Sequence, residues 1–238
     1  MSEQAGRPAI QKASPVTLFF NIVTDPEAAF KYLKNFPSWI FPIVLSLLLG
    51  LAYMASTGDI QLKMQKDFIL NSERIPEASK DKMLENLENP SFFQKTVVPT
   101  LSVVLGTVAV PVIIALVLLL FGNFVFGGSS NFKVMFSAVA WAGIIGFIEG
   151  VIKLPLVISK GSLEIYTSLA LLMDLDQSKT LLFQVLNLVD VFAIWKIFVY
   201  ATAFAVVYQF SKGKSYITVI SLYLVASLIG IGFTQIFT

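Results

Sequence analysis

The sequence predicts an all-α protein, a polytopic membrane bundle of five transmembrane helices led by an N-terminal interfacial helix. Composition is the first ground. Of 238 residues, 56% are hydrophobic and 13% charged, and mean hydropathy is +0.78. Soluble domains run nearer to a quarter charged, and one core of this size cannot hide so much apolar surface. A bilayer removes the difficulty, because the outside of each helix is then apolar too. The second ground is length: the apolar runs reach about 20 residues, enough to cross ~30 Å of hydrocarbon. The third is punctuation by short polar or glycine-rich connections.

Met1–Ser14 is polar and rich in small residues, so residues 1–15 read as a disordered tail and 16–238 as the membrane domain. The apolar stretch Val16–Val23 is short, interrupted by Asn21 and lacks a cleavage site, so it is no secretory signal. Asp25-Pro26 marks a helix start, with Asp25 as N-cap and Pro26 at the first helical position. Phe30, Leu33 and Phe36 then share a side, with Lys31 and Lys34 elsewhere. That pattern suits a helix lying on the bilayer surface and, equally, one packed on protein.

Five spans follow, at about 38–57, 97–121, 134–158, 186–210 and 216–237. Trp39 leads the first and Tyr53 nears its end, and these, with Tyr208 and Tyr216, suit interfacial aromatic belts. Residues 58–96 are mixed in charge and punctuated by Pro76 and Pro90, so an extramembrane loop with helical pieces at Ile60–Asn71 and Glu77–Leu87 is expected. Thr96–Asn131 carries no charge; Pro111 predicts a kink within it, and Gly122–Ser130 reads as its exit loop. The third span carries Glu149 and Lys153, and the fourth Asp190 and Lys196. Ser211–Ser215 is a tight basic turn before the fifth.

Orientation rests on the connections. With the N-terminus inside, Lys and Arg number seven on the cytoplasmic side against nine outside, six of the nine in the long first loop. The short connections Gly127–Lys133 and Ser211–Ser215 are basic without acids and favour the N-terminus in the cytoplasm.

The absence of histidine excludes Ser-His-Asp and Cys-His nucleophiles. The absence of cysteine excludes disulfides, thiolate metal sites and thiol redox chemistry. No catalytic, cofactor-binding or metal-ligating set is expected. A net charge of +2 points to no nucleic-acid partner.

The candidate functional residues are the ionisable groups at bilayer depth, where a charge costs roughly 2.5 to 3.5 kcal/mol near the centre. Glu149 and Lys153 are four apart on one helix face. Counting from Val134, Glu149 lies about 22 Å along the third span, and Lys196 about 12 Å into the fourth, so depth pairs Glu149 with Lys196 and Lys153 with Asp190. Asp190 and Lys196 are separated by about 120°, which disfavours both pairs being ideal. Pairing that fixes helix register and a polar path through the bundle are the two readings. Gly143, Gly146 and Gly150 permit close approach of another helix, of this chain or of a second copy, and make an approach of the fourth span feasible. The Gly127-Gly128-Ser129-Ser130 turn lacks P-loop spacing and reads as a plain turn.

Three stretches carry a resemblance: Asp25-Pro26 with Phe30, then Pro37-Ser-Trp39 and Pro42; Phe126-Gly-Gly-Ser-Ser-Asn-Phe-Lys133, with Gly127 and Gly128, then Phe136 and Ala140-Trp141-Ala142; and Asp190-Val-Phe-Ala-Ile-Trp195 leading to Phe210-Ser-Lys-Gly-Lys-Ser215. In this order, over roughly residues 16 to 238, the chain resembles the Yip domain family, five-span membrane proteins named for interaction with Ypt/Rab GTPases. The resemblance implies a cytosolic N-terminus, and for eukaryotic members vesicle traffic at the endoplasmic reticulum and Golgi. The short N-terminal tail and long charged first loop resemble the prokaryotic members, so a bacterial cytoplasmic membrane is expected and a Rab-type GTPase partner is not. The expected function is that of a non-enzymatic scaffold or organiser, with the bilayer and a further copy or another membrane protein as partners. The alternative is a small transporter or lipid-moving protein using Glu149, Asp190 and Lys196.

Overall fold

A computed structural model describes residues 13–72 and 74–237, the last two by backbone alone. Most of the expected tail lies outside the described residues. Ser14 already caps α1 (Pro15–Thr24), its Oγ accepting from Thr17 N–H at 3.1 Å. Asp25 then ends one helix and starts the next, α2 (Pro26–Asn35): its carboxylate accepts from Ala28 N–H at 3.1 Å, with Pro26 at the first position.

The helices that follow are α3 (Ile40–Asn71), α4 (Glu77–Glu88), α5 (Val98–Leu119), α6 (Phe132–Ala142), α7 (Ile144–Lys160), α8 (Leu181–Asn187), α9 (Val191–Tyr208) and α10 (Lys212–Phe237). Wide helical turns extend α5 at both ends, at Phe93–Val97 and Leu120–Val125. Among the described residues, five continuous or near-continuous stretches are long and apolar enough to cross a membrane: Ile40–Asn71, Phe93–Val125, Phe132–Lys160, Val191–Tyr208 and Lys212–Gln235.

Several elements differ from the sequence reading for physical reasons. There is no break at Gly58: α3 runs through it for 32 residues, because one glycine costs only about 1 kcal/mol and α4 supports the extension. Lys66 pairs with Glu88 at 2.8 Å, and Lys80 donates to Leu70 O at 3.0 Å. The exit from the second span is shorter than expected, since helix continues to Val125. The third span is two helices that meet at Gly143, whose carbonyl accepts from Gly146 N–H at 2.9 Å and Phe147 N–H at 3.2 Å. The fourth is α9 alone, because Asp190 stands outside the helix as its N-cap. Lys212 and Lys214 belong to the first turn of α10, leaving a tighter turn at Gln209–Ser211.

The core explains how helices apolar on every side sort themselves. In the α6–α7 and α9 spans, 56% of the best spanning window is buried within the protein, against 11% in each of the other three. Those two form the centre, and α3, α5 and α10 turn most of their surface outward. Met135 to Ala142 are buried without interruption. Phe30 and Leu33 are also buried, at 0% and 1% exposure, with α2 packed on α6 and α9. Phe30 and Leu33 therefore meet protein, not headgroups; the outward apolar residues of this region are Val16 and Phe20 of α1 and Phe36 at the end of α2.

The reversal from α2 to α3 is held by α6. Ser38 N–H donates to Ser137 Oγ at 2.9 Å, and Ser38 O accepts from Ser137 Oγ at 2.7 Å and from Trp141 Nε1 at 2.8 Å. The buried Ser137 hydroxyl and Trp141 indole N–H require partners, and the Ser38 backbone supplies them. Phe41 stacks on Trp141, and Trp39 lies against Phe136.

Candidate functional site

The four charges expected at bilayer depth, Glu149, Lys153 and Lys196 on spanning helices and Asp190 just ahead of α9, converge between α7 and the start of α9. Glu149 sits between two ammonium groups: its Oε1 accepts from Lys153 Nζ at 2.6 Å and its Oε2 from Lys196 Nζ at 2.9 Å. The first pair follows from i,i+4 spacing on α7, and the second crosses to α9. Asp190 completes the group from the break before α9. Its Oδ1 accepts from Phe192 N–H at 2.8 Å and Ala193 N–H at 3.0 Å, while Oδ2 accepts from the Thr167 hydroxyl and stands 3.9 Å from Lys153 Nζ.

All four carboxylate oxygens are thus engaged. Low polarity strengthens each contact and penalises any group left without one. The two lysines divide unequally: the Lys196 side chain is 36% exposed, twice the 18% of Lys153. Beside the network opens a cleft of about 360 Å³, which Asn187, Tyr166 and Tyr223 also line. Tyr223 donates to Leu188 O at 2.8 Å, satisfying a carbonyl at the helix break.

Of the three glycines, Gly150 is the one that another helix approaches. A methyl group on Gly150 would stand 2.7 Å from Leu49 Cδ2, so this glycine admits α3, not α9. Gly146 faces an open notch beside Ser46 and Tyr53, and Gly143 marks the junction of α6 and α7. Spacing reveals small residues but not the partner, and α9 reaches α7 through charge instead.

At the opposite end, Tyr208 is buried and not a belt residue. A methyl on Gly122 would fall inside its ring, and one on Gly128 would stand 2.6 Å from Tyr208 Cδ1. The phenol donates to Asn123 Oδ1 at 2.8 Å, and the same amide closes the turn through Ser130 N–H and O, each at 3.0 Å. Gly127 takes a left-handed φ of 66° that favours glycine. The Gly127-Gly128 turn is therefore a cup shaped for one aromatic ring. Tyr208 stacks on Phe210, and Lys214 Nζ lies 4.1 Å from the ring centres of both Phe126 and Phe210. Trp195, half-buried, packs against the core.

Sequence reasoning passed over Thr167, Ser137 and Asn123, and assigned the buried Tyr208 to an aromatic belt. An asparagine inside an uncharged 36-residue run was a signal for Asn123; the hydroxyls gave none, since serine and threonine are ordinary in membrane helices.

Asp25 and Pro26 form the α1–α2 corner. Pro37-Ser-Trp39 is bonded to Trp141, and the glycine turn encloses Tyr208 just before Phe210. The separated stretches that resemble the Yip domain family thus meet in space. A search of curated proteins returned no match, and a search of solved structures returned none. The family model of the Yip1 domain matches residues 20–234. With that match over nearly the whole chain and five apolar helices of spanning length, the protein is a multi-pass integral membrane protein that belongs to the Yip1 domain family.

Proposed function

We propose that this protein is a non-enzymatic membrane scaffold that organises neighbouring membrane components, with its N-terminus in the cytoplasm of a bacterial-type cell. The observation that carries the reading is the closure of the charge network: each oxygen of Glu149 holds a different lysine, and Asp190 is occupied by α9 N–H groups, Thr167 and Lys153. A group that relays a proton or ion exchanges partners, whereas these charges bind α7 to α9 and set their register. Orientation draws on the clustering of basic connections at one end. Lys212 bonds Glu27 of α2 at 2.9 Å, and Lys214 lies on Phe126, close in sequence to Lys133.

The second reading, a small transporter or lipid-moving protein, has one observation in its favour: the 360 Å³ cleft that opens on the same four charges. One experiment separates the two. Purified protein is reconstituted in vesicles and tested for lipid scrambling by dithionite quenching of a labelled lipid, and for ion flux. A scaffold leaves both at the level of protein-free vesicles. Scrambling or flux that Glu149→Gln abolishes, with the protein still folded, defeats the scaffold in favour of transport.

A further inference from the structure

A second polar cleft, of about 430 Å³, lies between α2 and the α9–α10 corner, remote from the charge network. Its position follows from the chain: α9 ends at Tyr208 and α10 begins at Lys212, so the cleft stands where two spanning helices leave the hydrocarbon. Gln209, in the left-handed conformation with φ 58°, makes the corner at its mouth.

The cleft is positive and two-natured. Lys31, Lys34 and Lys212 contribute three ammonium groups against the single carboxylate of Glu27. Glu27 is shared, accepting from Lys31 at 2.8 Å and from Lys212 at 2.9 Å, so two net positive charges remain. Lys34 is the least satisfied. It is half-buried, and among the described residues its ammonium has no carboxylate within ion-pair distance, only Val206 O at 3.4 Å. Beside the lysines the wall is mainly apolar, made by Ala205, Val206 and Phe210, with Asn35, Thr202 and Gln209 as its polar members. Cationic heads beside a mainly apolar wall at a membrane boundary match a ligand with an anionic head and a hydrocarbon body.

We propose that this cleft binds the phosphate of an anionic phospholipid, with Lys34 and Lys212 on the phosphate oxygens and the upper acyl chain along Ala205 and Val206. The site goes beyond the scaffold reading and does not depend on it. A phosphate diester on a lipid and a free phosphate compound share the head chemistry; the apolar wall favours the lipid.

The test is native mass spectrometry of the full chain in detergent, titrated with phosphatidylglycerol or phosphatidylcholine. Phosphatidylglycerol is expected to bind selectively. Lys34→Gln and Lys212→Gln should each weaken it about fivefold, the effect of one lysine at an anionic surface. Lys34→Arg should retain binding, which separates loss of charge from loss of fold, and Lys133→Gln, at the same end but outside the cleft, should change nothing. Equal binding of the two lipids overturns the proposal, as does a Lys133→Gln loss as large as that of Lys34→Gln. Displacement of phosphatidylglycerol by millimolar glycerol 3-phosphate overturns the lipid assignment in favour of a soluble phosphate.

Discussion

The two ends of α9 are held by different physics. Toward one end, α7 and α9 are joined by Glu149, Lys153, Asp190 and Lys196, four charges that satisfy one another. Toward the other, the contact is one of shape: Gly122 and Gly128 leave room for the Tyr208 ring, and Asn123 takes its hydroxyl. Ionic closure depends on every member staying charged, but tolerates small shifts because lysine is long and flexible. Shape closure is indifferent to charge and intolerant of added volume.

The largest expected effect is therefore steric. Gly122→Leu drives a branched side chain into the position of the Tyr208 ring, and overpacking of about 3 kcal/mol or more follows. Thermal unfolding in detergent should show a strongly lowered midpoint, partly restored by adding Tyr208→Ala. An unchanged midpoint for Gly122→Leu breaks the comparison at its shape-dependent end.

The ionic end should respond less, and non-additively. Glu149→Gln leaves two ammonium groups facing a neutral amide, at a cost of about 2 to 3 kcal/mol given the partial exposure of Lys196. Combining it with Lys196→Met should recover part of the loss, because one uncompensated charge is removed. A double-mutant cycle with no coupling breaks the ionic half of the comparison.

The smallest effect sharpens the comparison at an exposed ion pair. The hydrogen bond from Lys31, and then that from Lys212, hold the Glu27 carboxyl down at about 2, against an ordinary 4.5. A depressed folded-state value means the pair contributes fully above about pH 4.5, and the contribution is lost as pH falls through about 2. Spin labels on α2 and α10 should separate over that acid window, and Glu27→Gln should give the separated distance already at neutral pH.

What was legible in the sequence followed from rules that act along one helix. Long apolar runs marked the spanning helices, Asp25-Pro26 marked the start of α2, and helical rise matched Glu149 to Lys196 by depth. What was not legible required a neighbour. The small-residue spacing of Gly146 and Gly150 is the same whichever helix approaches, and α3 is the one that does, through Leu49. Phe30 and Leu33 present a pattern that suits a lipid surface or a protein groove, and only α6 and α9 decide it. Tyr208 sits at a span end, where a belt tyrosine and a buried one look alike until Gly122 is known to be beside it.

The uninterrupted α3 has a mechanical consequence. Its 32 residues make a rod about 48 Å long, so it overshoots a ~30 Å hydrocarbon layer by about 18 Å. The rod starts beside Ser38, which α6 clamps through Ser137 and Trp141, and its far half carries α4 through Lys66 and Lys80. Its membrane half is also packed on α5 and α7, where Leu49 lies against Gly150, so a tilt of about 10° there would sweep the far tip, about 33 Å away, through about 6 Å. Any tilt of the packed half would thus be enlarged at the tip by the stiffness of a single helix.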